Sequence, residues 1–147
     1  MTIFEELRAD HDKQRKMIEQ VLATSGASDE RKRLFLNLKK ELADHALAEE
    51  RHFYVPLMQY DTTQEQARHS VAEHHELDEL IEAVSSAEED SPGWLAHAKN
   101  LAHKLLHHLE EEEKEVFTVA GKVLADADKT SLGADYRGEM DKRAETP

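Results

Sequence analysis

The chain has 147 residues, no cysteine, few glycines or prolines, and a formal charge of -13. Disulfides, thiolate metal sites and a cysteine nucleophile are thereby excluded, and so acidic a balance argues against nucleic acid or an anionic membrane surface as partner. The length suits one domain, no apolar run approaches the ~20 residues that span a bilayer, and the first turns are too polar for a signal segment, so a cytoplasmic protein is expected.

Apolar residues recur at intervals of three and four, and no stretch alternates long enough to propose a strand. The first segment, residues 3–24, carries Ile3, Phe4, Leu7, His11, Ile18, Val21 and Leu22 on one face, with Thr2 and Glu5 spaced as a capping box. After a break around Gly26, residues 29–60 continue with Leu34, Leu38, Leu42, His45, Glu49 and Phe53, and Pro56 should kink or end that helix. Residues 64–86 place Ala67, Val71, His74, Leu77, Asp78, Ile81 and Val84 in register. Ser91 followed by Pro92 opens a fourth helix, residues 94–127, with Ala98, Leu101, Leu105, His108, Glu112, Val116 and Val119 facing inward. Residues 132–137 suggest a short helix or ordered tail, frayed from Lys142 onward. Short connections make neighbouring helices antiparallel. The expected fold is all-α: an up-down-up-down four-helix bundle with a short C-terminal helical tail, one domain over 1–147 with its core at about 3–127.

Polar residues interrupt this apolar register in a repeating way. His45 and Glu49 lie four apart on the inner face of the second helix, and His108 and Glu112 repeat the pattern on the fourth. His11 and His74 fall in step on the other two helices. Imidazoles and carboxylates buried without partners are costly. One histidine can be satisfied within a core, but four with two glutamates are hard to satisfy among themselves. Iron held by imidazole nitrogens and carboxylates meets the demand, and more ligands converge than one zinc would need. His52, His69, His97 and His103 lie off the inner stripe, whereas His75 and His107 sit beside it and are alternates should the register slip by one. Glu110 and Glu111 read as a solvated face.

These residues resemble the hemerythrin-like proteins with an HHE cation-binding domain. The matching parts are Asp10-His11-x-x-x-Arg15, His45-x-x-x-Glu49-Glu50 ending in an aromatic and proline, Glu73-His74, and His108-x-x-x-Glu112-Glu113 ending in Val116-Phe117. The resemblance implies a bundle around a non-haem diiron centre. Glu49 and Glu112 would bridge two irons, with His11 and His45 on one and His74 and His108 on the other. In one place the chain departs from the family. Oxygen-carrying hemerythrins have a second histidine one turn after the position of His74, and here that place belongs to Asp78. It is a candidate ligand itself, a gap left to solvent, or a position taken over by His75 or His107. The expected function is therefore a diiron protein that meets dioxygen, hydrogen peroxide or nitric oxide, with catalase-like turnover favoured over oxygen carriage. An iron-binding sensor or storage module is the alternative, and a monomer or weak homodimer is expected.

Overall fold

The computed structural model describes all residues, 1–147. Five helices follow from local signals in the chain. The first, α1 (Ile3–Leu22), opens on the capping box: Thr2 Oγ1 accepts from the Glu5 amide at 3.2 Å, and the Glu5 carboxylate accepts from the Thr2 amide at 2.9 Å. The second, α2, starts at Asp29 behind the Ser28 cap and is α-helical to Glu49; it continues through a π turn, Glu50–Tyr54, and a final α turn, Val55–Leu57. Next comes α3, Gln64–Ser86. Helix α4 begins at Pro92 behind Ser91, runs to Glu111, passes through a second π turn, Glu112–Val116, and ends as Phe117–Val123. Last is α5, Asp126–Ala144. In the bundle α1 packs on α2 and α4, and α3 packs on α4.

The interior forms two apolar clusters with a polar layer between them. Ile18, Val21, Leu38, Leu42, Leu77, Ile81, Trp94, Leu101 and Leu105 belong to one; Ile3, Leu7, Phe53, Tyr54, Ala67, Val116 and Phe117 belong to the other. On each of the four bundle helices the inward histidine falls in sequence between residues of the two clusters. The antiparallel topology therefore brings all four to one level. The cluster of Trp94 is closed at its far end by Arg31, which is buried, stacks its guanidinium 4.1 Å over the Trp94 ring and donates to the Thr24 carbonyl at 2.7 Å.

The first π turn begins one residue after the His45-x-x-x-Glu49 pair, and the second begins on the glutamate of the His108-x-x-x-Glu112 pair. In each, one amide reaches back five residues, Val55 to the Glu50 carbonyl and Phe117 to the Glu112 carbonyl. The wider turn lets two successive residues face the core, Phe53 with Tyr54 and Val116 with Phe117, all buried. It also advances the later register by one. The inward residues after Val116 are accordingly Phe117 and Ala120, and Val119, expected inside, is only half-buried. The helical parts also stop earlier than periodicity suggests: α2 ends at Leu57 rather than residue 60, and α4 at Val123 rather than residue 127.

The C-terminal segment is more than the short tail expected. Helix α5 is 19 residues long, extends past Lys142 to Ala144, and packs against α1, α2 and the first π turn. Gly133, Tyr136 and Met140 form its buried edge. At Gly133 the backbones nearly touch: an added Cβ would lie 2.7 Å from the Ile3 nitrogen and 2.8 Å from the Met1 oxygen. Glycine is needed there for the approach alone, since its φ is not positive.

Candidate metal centre

His11, His45, His74 and His108 are each buried, as are Glu49 and Glu112. All four rings turn Nε2 toward the two carboxylates. Glu49 lies at the crossing: its oxygens are 3.8 Å from His11 Nε2, 3.4 Å from His45 Nε2 and 3.2 Å from His74 Nε2. Glu112 lies 3.2 Å from His11 Nε2 and 3.7 Å from His108 Nε2. The rings pair as His11 with His45, centroids 5.3 Å apart, and His74 with His108, 5.1 Å apart. Two ligand groups result, His11–His45–Glu49 and Glu49–His74–His108, each with donor atoms within 4.8 Å of one another.

The opposite nitrogen of every ring is anchored. His11 Nδ1 lies 2.7 Å from Glu113, His74 Nδ1 3.2 Å from Glu50 and His108 Nδ1 2.9 Å from Glu73. His45 Nδ1 lies 2.7 Å from the Tyr136 hydroxyl, which donates to Asp10 at 2.5 Å, and Asp10 faces Arg137 at 3.1 Å. An imidazole that donates Nδ1–H outward is fixed in the tautomer whose Nε2 lone pair points inward, the usual outer support of a metal-binding histidine. The doubled glutamates thus divide their work between helices. The first of each pair enters the layer, and the second holds a histidine of another helix. Arg15, from the Asp10-His11-x-x-x-Arg15 motif, steadies Glu113 at 2.9 Å.

The layer is not satisfied by its own members. His11 Nε2, His45 Nε2, His108 Nε2, Glu49 Oε2 and Glu112 Oε1 are buried with no hydrogen-bond partner. Such atoms are exceptions in folded proteins, and nitrogen with carboxylate oxygen is a donor set suited to iron. These residues fit a metal. Their protonation tells the same story. Burial disfavours the His11 proton, yet Glu112, Glu113 and Glu49 raise its affinity well above the ordinary value. Burial opposes the charge on His74 too, and Glu49 with Glu50 still lift it to about 9. His108 moves the other way, because burial and the nearby His74 outweigh Glu73. Burial works against ionising Glu49, but the charge of His45 and the surrounding donors hold it well below the carboxylate range. Glu112 is pushed well above that range by burial and then by the Glu49 charge. Protons here perform part of the charge balance that a cation would take over. The Tyr54 hydroxyl, brought in by the first π turn, lies 2.9 Å from Glu49 Oε1 and closer still to Glu112 Oε2.

Asp78 is exposed and belongs to neither ligand group, although it lines a small cavity with His45, His74 and His108. His75 and His107 are exposed, and His107 pairs with Glu111 at 3.1 Å; neither replaces an inward histidine. His69 and His103 are exposed as expected, while His52 is half-buried against Glu139 at 2.9 Å. Sequence reasoning missed the anchors Glu50, Glu73, Glu113, Tyr136 and Asp10, the Tyr54 contact, and Gln14. The last was legible: residue 14 falls in step between His11 and Ile18.

An all-helical bundle with histidine and carboxylate side chains converging on its midplane defines a class of metal-binding domain. The model of the hemerythrin HHE cation binding domain family matches residues 2–120, and the chain belongs to that family. The fold is shared with the crystal structure of a hemerythrin HHE cation binding domain-containing protein from Mycobacterium kansasii, at a TM-score of 0.87 and 22% identity over 97% of this chain and 87% of that one. Coverage of that extent takes in most of α5, which lies beyond the family match. No curated protein matches the sequence.

Proposed function

We propose that the layer holds two iron ions and reacts with a small oxidant, hydrogen peroxide in preference to dioxygen or nitric oxide. The observation that carries this reading is the pair of buried ligand groups sharing Glu49. His11 and His45 would hold one ion and His74 and His108 the other. Glu49, and Glu112 beside His11 and His108, would span both. Each ion would receive two terminal imidazoles, which leaves positions for solvent or an exogenous molecule. Two neighbouring irons supply a two-electron exchange with peroxide, so that two molecules of hydrogen peroxide give two of water and one of dioxygen.

The side chains select and protect. Leu42, Leu77, Ile81, Leu105 and Leu109 wall a cavity of about 20 Å³ beside His45, His74 and His108, room for one water-sized molecule. A large substrate has neither space nor a basic anchor there. The Tyr54 hydroxyl contacts Glu49 and Glu112 on the opposite side of the layer, and the Nδ1 anchors keep the rings from turning. No helix is long and apolar enough to cross a membrane, in keeping with a small diffusing oxidant as the partner. Elemental analysis of protein from iron-replete cells, with dioxygen evolution after adding peroxide, tests the proposal. Iron near two per chain and steady evolution are expected. Bound iron that leaves peroxide untouched would favour an iron-binding sensor or storage module, and zinc alone or no metal would overturn the reading.

A further inference from the structure

Gln14 is 1% exposed, lines the small cavity, and has a carboxamide nitrogen without any hydrogen-bond partner. Apart from Asp78, the rest of the wall is leucine, isoleucine, alanine and the histidines. Asp78 also borders the cavity but is exposed, and as a carboxylate it offers acceptors only. A leucine or methionine at position 14 would complete the apolar register between His11 and Ile18 at no polar cost, whereas an unpaired buried donor is destabilising. The cavity faces the histidine layer on the side away from the carboxylates and Tyr54, as the sequence order of its lining residues shows: Leu42, Leu77 and Leu105 belong to the cluster of Trp94. A donor on that side borders the space where an exogenous molecule would sit.

We propose that Gln14 donates a hydrogen bond to the small ligand in this cavity, and so selects an anionic acceptor such as hydroperoxide, hydroxide or azide over an apolar diatomic. Its role is positioning and specificity, exerted on the ligand, and it rests on the diiron reading. Azide is the probe, because it is a small anionic acceptor and reports by its own infrared stretch.

The test compares iron-loaded protein with Gln14→Leu and Gln14→Met, two near-isosteric variants. Both should keep the iron content and helicity of the unmodified protein. Azide binding to the diferric protein should weaken by roughly tenfold or more, as expected for losing a hydrogen bond to a charged group, and the azide stretch should shift. Nitric oxide binding to the reduced protein should change far less. Unchanged azide affinity and stretch in both variants would overturn the role of Gln14 while leaving the diiron centre standing. Equal weakening of azide and nitric oxide would also overturn it, since that is the mark of a repacked cavity. Absence of iron in the unmodified protein would remove the diiron reading and this inference with it.

Discussion

The two halves of the histidine layer are built alike toward the centre and differently toward the outside. His74 and His108 lean on carboxylates, Glu50 and Glu73, the first of which is partly exposed. On the other side, His11 leans on Glu113, but His45 leans on a neutral phenol, Tyr136, and through it on Asp10. That half is also covered by α5, whereas His74 and His108 stand on α3 and α4, on which α5 does not pack closely. A carboxylate behind an imidazole raises its basicity and strengthens it as a ligand. The difference therefore teaches that the halves need not bind metal equally: the His74–His108 side has the stronger electrostatic support, and the His11–His45 side has the more rigid and drier one.

Removing what the halves share has the largest effect. Glu49→Gln should lose both irons and the diferric absorption, measured by elemental analysis and near-ultraviolet spectroscopy; a variant that kept both metals would contradict the central place of Glu49. His74→Ala should separate the halves, leaving close to one iron per chain on the His11–His45 side. Loss of both would mean that the halves bind only together.

A third comparison uses protons instead of mutations. In chelated protein His74 is lifted to about 9 by Glu49 and Glu50, above its unfolded value near 6.5. Its proton therefore stabilises the fold fully below about pH 6.5, and that contribution is lost as the pH rises through about 9. The shift corresponds to about 3 kcal/mol as an order of magnitude. Denaturant midpoints of chelated protein should fall across that window. Iron-loaded protein, in which metal has displaced the proton, should show a flatter profile. Identical pH profiles would sink this idea. Smaller again is Tyr136→Phe, which leaves His45 Nδ1 and Asp10 without their shared partner. About 1–3 kcal/mol of stability should go, with weaker binding of the iron on the α5 side only. The smallest change in structure is Asp78→His, which should slow autoxidation of the reduced protein in air. An unmodified protein that already forms an oxy complex lasting hours would contradict the expectation from Asp78.

The legible part of the site was the part that violated the apolar register. His11, His45, His74, His108, Glu49 and Glu112 were conspicuous because each occupies a place where leucine would otherwise stand. Their anchors were not, since Glu50 and Glu113 sit one residue off that register and look solvated. Their partners, moreover, are 24 and 102 residues away in sequence. The π turns escaped for a related reason: periodicity counts residues at 3.6 per turn, and one wide turn shifts every later position, as Val119 and Ala120 show. Helix α5 had a signal in the spacing of Gly133, Tyr136 and Met140, but a weak apolar face beside much charge hid it.

The contact at Gly133 sets an order of events during synthesis. Helix α1 is made well before α5; at ordinary elongation speeds the interval is roughly six to twenty-five seconds. Once Glu113 has been made, the nascent bundle has partners for His11, His74 and His108, but none for His45 until Tyr136 follows. The drier half of the layer is thus finished only when the last helix closes over the first. Iron uptake on that side should follow translation of α5 rather than accompany folding of the four-helix bundle. Ribosome-bound chains arrested before Asp126 should accordingly retain less iron than released ones.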